Sequence, residues 1–229
     1  MIKFQSVIAI IAMLILLQGC GGSDGNPTQA NGPSNGRGPD SSDDITLALQ
    51  EMPVGELNEA ETAALLFMRE EEKLARDVYD LLYSVWGQPV FDNISASETA
   101  HTESVLQLLE RYQIDDPARG RAAGDFADPD LQALYDTLID RGSASLIDAL
   151  LVGAEIEEID IIDIQTRIAQ VEDNDDIVLV YDNLMKGSRN HLRSFVKNLS
   201  NQGISYAPTH LDQDSYDAII EAAIETGQR

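Results

Sequence analysis

The sequence predicts an all-α protein: two long helices, a long crossover, two more long helices and a short C-terminal helix. Three observations lead there. No segment keeps the period-two alternation between turn signals that a sheet requires. Apolar residues instead recur at alternating spacings of three and four along four long segments. Helix stop signals (Gly87 with Pro89, Gly142, Gly203) fall after the helical segments.

The first helix is expected over 58–86, ending at Gly87, with Pro89 beyond it. The second is expected over 95–112, where Ser95-x-x-Glu98 fits a capping box, the glutamate reaching back to the cap's backbone N–H. A crossover follows with Pro117, Gly120, Gly124 and Pro129, and DPDLQALYDTLIDRG within it reads as a short helix ended by Gly142. The third long helix is expected over 143–171, broken by EDNDD, and the fourth over 175–199. A last helix is expected over 212–225. Pairs of long helices joined by one long connection form a recurring bundle topology; an up-and-down bundle with short loops is the competing arrangement.

Residues 1–19 stand apart. A lone Lys3 precedes an apolar run that ends at Gly19-Cys20, the layout of a secretory signal and too short for a confident membrane span. Leu17-Gln18-Gly19-Cys20 resembles a bacterial lipoprotein box, which implies cleavage before Cys20 and lipidation of its thiol. Residues 20–48, rich in Gly, Ser, Asn, Asp and Pro, read as a disordered tether, and 49–229 as the folded domain. The expected location is the cell envelope, lipid-anchored at the outer membrane or periplasmic face, with the membrane as a partner through Cys20. Such an anchor argues against a closed storage cage and leaves a homodimer open.

Cys20 is the only cysteine, so the domain has no disulfide, thiolate metal site or cysteine nucleophile. With 40 acidic residues against 15 basic ones, the net charge is −25, and nucleic acid is excluded as a partner for want of a basic footprint.

Chemistry enters through the inner faces of the helices. The first helix has a seam of Phe67, Glu71, Leu74, Val78, Leu81 and Val85, on which Glu71 is the one charged member; Glu70 and Glu72 read as solvated surface. The second has Ile94, Glu98, His101, Val105, Leu108 and Tyr112, so Glu98 and His101 share an apolar stripe. The fourth has Ile177, Tyr181, Leu184, Ser188, His191 and Phe195. On the third, periodicity does not choose between Glu157 and Glu158; Glu157 is preferred because its seam also turns Asp160 inward.

Buried acids and histidines are costly unless paired or metal-bound. A di-metal carboxylate bundle uses one Glu from each of two helices and Glu-x-x-His from each of the other two. The candidates here are Glu71, Glu98, His101, Glu157, Asp160 and His191. Helix four has Ser188 where the pattern wants a carboxylate, and Asp160, three after Glu157, is the expected substitute. Asn190 or Asp182 is a candidate partner for a metal-bound imidazole, and Arg189 or Arg193 for Glu157 or Glu158. His210, in a loop after Pro208, is not expected to be a ligand.

The segments EEEKLARDVYDLL, FDNISASETAHTESVLQLLERY, LVGAEIEEIDIIDI and VYDNLMKGSRNHLRSFVKNL resemble, in order, a prokaryotic family named domain of unknown function 2202, grouped with the ferritin-like di-iron carboxylate proteins. The resemblance covers about residues 50–220. It implies a ferritin-like four-helix bundle and metal ligands at Glu71, Glu98, His101, Glu157 and His191, with Ser188 standing where the pattern has a glutamate for the second metal. The implied cofactor is a divalent metal, iron first (di-iron or mono-iron), with manganese or zinc as alternatives.

Three functions compete. An enzyme-like di-iron site would oxidise ferrous iron or remove peroxide, with O2 or peroxide as its small substrate. A binding module would hold divalent ions without turnover. An envelope interaction bundle would use the same groups as a metal-free polar network.

Overall fold

The computed structural model describes residues 42–226. Among these there are seven α-helices and no strand: α1 (Ser42–Glu51), α2 (Glu59–Trp86), α3 (Pro89–Arg111), α4 (Pro129–Gly142), α5 (Leu146–Ile168), α6 (Asp175–Asn201) and α7 (Gln213–Glu221). The signal-type segment, Cys20 and most of the proposed tether lie outside the described residues. The tether was expected to run to residue 48, and α1 occupies its last part, burying Leu49. No helix among the described residues is long and apolar enough to cross a membrane.

Local chemistry sets the helix ends. Asn58 caps α2 through a reciprocal pair of bonds with Glu61, 2.9 Å and 2.8 Å long. At the other end Gly87 turns into the left-handed region and donates its N–H to Tyr83 O. The expected start of α3 at Ser95 is corrected to Pro89. A proline at the first helical position loses no hydrogen bond and has its φ preset, so Pro89 opens the next helix as well as following the last. Ser95 therefore lies inside α3, where its hydroxyl bonds Asp80, and the capping-box reading of Glu98 falls away. Asp128 caps α4 and Ser145 caps α5.

The long helices pack in a closed circuit: α2 on α3, α3 on α6, α6 on α5 and α5 on α2. α4 lies across α2 and α5, α1 across α3 and α6, and α7 on α6. Below the polar centre, Tyr79, Phe91 and Phe195 bring α2, α3 and α6 together with ring centroids 5.3–6.3 Å apart. Gly153 admits this cluster, because a Cβ there would stand 2.4 Å from the Phe195 ring. The crossover is tied down by Lys73, whose buried ammonium reaches Asp77 at 2.6 Å, Ala122 O at 2.9 Å and Asp125 O at 3.2 Å, with the Phe126 ring beneath it.

Candidate metal centre

The run Glu70-Glu71-Glu72 meets three different neighbours, because successive helical residues turn by about 100°. All three are buried, which corrects the reading of Glu70 and Glu72 as solvated surface. Glu70 accepts the N–H groups of Ala127 (2.6 Å) and Asp128 (2.9 Å) and so anchors the crossover. Glu72 faces α3, its Oε2 3.3 Å from His101 Nδ1, while its Oε1 has no hydrogen-bond partner. Glu71 points elsewhere. The deepest seam of α2 is Leu65, Met68, Glu72, Tyr79 and Leu82, one position on from the expected one, and Val85 of the expected seam is exposed. α2 contacts α3, α4 and α5, so its buried arc is wider than one seam.

Glu98 is the hub. Its Oε2 lies 2.8 Å from His101 Nδ1 and its Oε1 2.7 Å from His191 Nδ1. His191 Nδ1 is also 3.4 Å from Glu157 Oε2, yet neither carboxylate is aligned with it for a hydrogen bond. The two imidazoles stack with centroids 5.6 Å apart. Two trios result, Glu72–Glu98–His101 and Glu98–Glu157–His191, each with ligand atoms within 4.8 Å of one another. Both contain Glu98.

Surrounding groups hold these side chains. Tyr79 donates its OH to Glu157 Oε1 at 2.5 Å. Ser97 Oγ is 3.1 Å from His191 Nε2, the orienting contact that a metal-bound imidazole ordinarily has. Ser97 thus takes the role foreseen for Asn190 or Asp182; Asn190 instead bonds Arg193 and residue 225. Gly187 leaves space for His101, since a Cβ would lie 2.4 Å from its Cε1. Gly187→Ala should raise helix propensity yet weaken metal binding at the His101 position by ~10- to 100-fold, as measured by metal titration.

α5 divides its two central glutamates between different tasks. Glu157 joins a trio. Glu158 is fully buried on another face and accepts bonds from Tyr206 OH and from the N–H groups of Thr209, His210 and Leu211, fixing the segment before α7. Glu158→Ala leaves those donors unpaired; thermal unfolding should register a loss of roughly 3 kcal/mol with metal binding unchanged. Arg189 and Arg193 pair with Glu225 rather than with Glu157 or Glu158. His210 is partly exposed and sits 3.4 Å from Glu155, away from the trios. Asp160 is buried beside the centre, in neither trio, and accepts the Ser188 hydroxyl. So helix six does present Ser188 inward, and it holds the α5 aspartate.

The electrostatics follow from burying acids beside imidazoles. Burial alone would raise Glu98, but His101 and then His191 hold it well below the usual carboxylate range. Burial pushes Glu72 up to about 8 against the hydrogen bond and charge of His101. Glu98 and Glu157 overcome the burial of His191 and lift it to about 9. Glu98 and Glu72 raise His101 well above its ordinary value, again against burial. Burial, then the Glu72, Glu157 and Glu98 charges, raise Asp160. Without metal, two imidazolium charges therefore flank one ionised carboxylate.

Known proteins share this chain's pattern. The family model described as "Uncharacterized protein domain (DUF2202)" matches residues 61–223. The chain belongs to this family. The match takes in both trios, α3, α5 and α6, and α2 from Glu61 onward. The uncharacterized protein MJ0754 of Methanocaldococcus jannaschii is 45% identical over 179 residues, 78% of this chain and 96% of that protein. A crystal structure of the hypothetical protein MJ0754 from Methanococcus jannaschii matches with a TM-score of 0.74, at 45% identity, over 76% of this chain and 99% of that one.

Proposed function

We propose that this chain is a ferritin-like four-helix bundle binding two divalent metal ions between α2, α3, α5 and α6. The observation that carries this is Glu98, with one oxygen against each of two imidazoles and a further buried carboxylate beside each. That is the disposition of a bridging ligand. Glu72 and His101 would complete one position, and Glu157 and His191 the other. Glu72 would thus serve where the sequence pointed to Glu71.

The residues fit such ions. The donors are mixed oxygen and nitrogen, which suits iron or manganese and also admits zinc. Glu72 Oε1 and Asp160 Oδ1 are buried without partners, and His191 Nδ1 is aligned with none. Glu72, Glu98, Glu157 and Asp160 carry the charge of two divalent ions when ionised. Bound ferrous iron would supply one electron per ion, two in all, which with two protons reduce one hydrogen peroxide to two waters. Tyr79 fixes the Glu157 carboxylate, Ser97 the His191 ring, and Ser188 the Asp160 carboxylate, which can take up or release a proton at Oδ1.

We further propose that the domain is exported and lipid-anchored through Cys20, on the order of signal, cysteine and tether. A metal-free polar network is the alternative, favoured by the imidazole–carboxylate pairs that already exist. Anaerobic loading with ferrous iron, desalting and metal analysis separate the two. The wild type should retain iron that the His101→Ala/His191→Ala chain lacks; equal retention overturns the metal reading. On exposure to air the bound iron should oxidise faster than iron in buffer, and an equal rate would leave binding without turnover.

A further inference from the structure

The two trios share Glu98 but are not built alike. In the Glu157–His191 trio both outer ligands are held from behind. Glu157 Oε1 accepts the Tyr79 hydroxyl at 2.5 Å, and Tyr79 is itself fully buried against the Phe91 and Phe195 rings. His191 turns its Nε2 to Ser97 Oγ at 3.1 Å, which fixes the ring with Nδ1 on the side of Glu98 and Glu157.

The Glu72–His101 side has no such support among the described residues. Glu72 hydrogen-bonds within its trio only, and its Oε1 has no partner. His101 faces Glu98 and Glu72 through Nδ1, and its Nε2 makes no hydrogen bond. The Cε1–Nε2 edge lies over Gly187, where a Cβ would stand 2.4 and 2.5 Å away, so that edge meets backbone with no side chain to anchor it. The His101 side chain is 12% exposed. Asp160, held by the Ser188 hydroxyl, stands near both Glu72 and Glu157 and does not distinguish the two sides.

A contact behind a ligand fixes its direction before the ion arrives, and losing one ordinarily costs roughly 10- to 100-fold in metal affinity. We propose that the two positions are unequal: Glu98, Glu157 and His191 hold a resident ion, while Glu72 and His101 complete a looser position whose ion exchanges with solution. This rests on the two-ion reading above and adds a division of labour to it. The exchanging ion is the substrate or cargo, a divalent ion taken up and given back at the side where no second contact holds the ligands.

Manganese(II) alone is the probe, titrated into metal-free protein with unbound ion counted by its electron paramagnetic resonance signal. Two ions should bind in separate steps whose dissociation constants differ at least ~10-fold. Ser97→Ala, at a half-buried position inside α3 that alanine suits, should weaken the tighter step by ~10-fold or more and leave the looser one unchanged. Tyr79→Phe should do the same, and Glu72→Gln should remove the looser step alone. Crystals given one manganese per chain should show an anomalous peak at Glu98, Glu157 and His191. Two steps of equal affinity overturn the proposal, and so does a tighter step insensitive to Ser97→Ala, or a single-ion peak at Glu72 and His101. Those outcomes leave the two-ion centre standing. A wild type that binds no ion, or binding that survives His101→Ala/His191→Ala, overturns the centre and this division with it.

Discussion

Glu98→Gln is expected to abolish metal binding at both positions together, while Glu72→Gln and Glu157→Gln each impair one. The reason is geometric: the two Glu98 oxygens face different imidazoles, so no other residue is common to both trios. The amide keeps the shape but loses the charge and one acceptor. Its effect on the metal-free protein should also be large. Two imidazolium groups lose the anion between them, and removing one partner of a buried ion pair costs about 3 kcal/mol or more. Calorimetric titration with ferrous iron and thermal unfolding measure the two effects. A Glu98→Gln protein that still fills one position at wild-type affinity would show that Glu98 is not shared.

The second large effect is an opposite response to pH in the metal-free and metal-bound proteins. Glu72 titrates near 8 in the fold against 4.5 unfolded, so the fold keeps a proton that the unfolded chain has released, and stability falls as pH rises from 4.5 to 8. His191, near 9 against 6.5, contributes stability that is fully present below 6.5 and lost as pH rises through 9. Glu98 acts the other way: its depressed value gives stability present above 4.5 and lost as pH falls below it. The metal-free protein should therefore be most stable near pH 5 and lose stability, read as a falling Tm, as pH rises from there toward 9. Metal must displace these same protons, so apparent affinity should rise at least ~10-fold per pH unit between pH 6 and 8. Thermal melts across pH, with and without manganese, read both slopes.

The helix ends that were legible in the sequence are those set by neighbours in the chain. Asn58 with Glu61, Gly87 and Gly142 act within one turn of themselves, so α2 and the end of α4 stand where expected. Pro89 misled because one residue type serves as a stop and as a first helical position, and only the packing of α3 tells which. Register was the harder matter. On α2 the seams through Glu71 and Glu72 are both buried, since α2 meets three other helices. Tyr79, seven residues after Glu72, was the available signal: its hydroxyl meets Glu157. The Glu98–His101 pair was visible because both lie on a stripe that is apolar everywhere else. Ser97 was not visible, because a serine at half-buried depth carries no periodic signature. Glu157 falls in a trio, while Glu158 is occupied by a distant loop that no local pattern announces.

Anomalous diffraction at the iron edge, from crystals of the protein loaded anaerobically with ferrous iron, tests the central claim most directly. Two peaks are expected, one bounded by Glu72, Glu98 and His101 and the other by Glu98, Glu157 and His191. Iron-loaded crystals with no peak at either trio would contradict it.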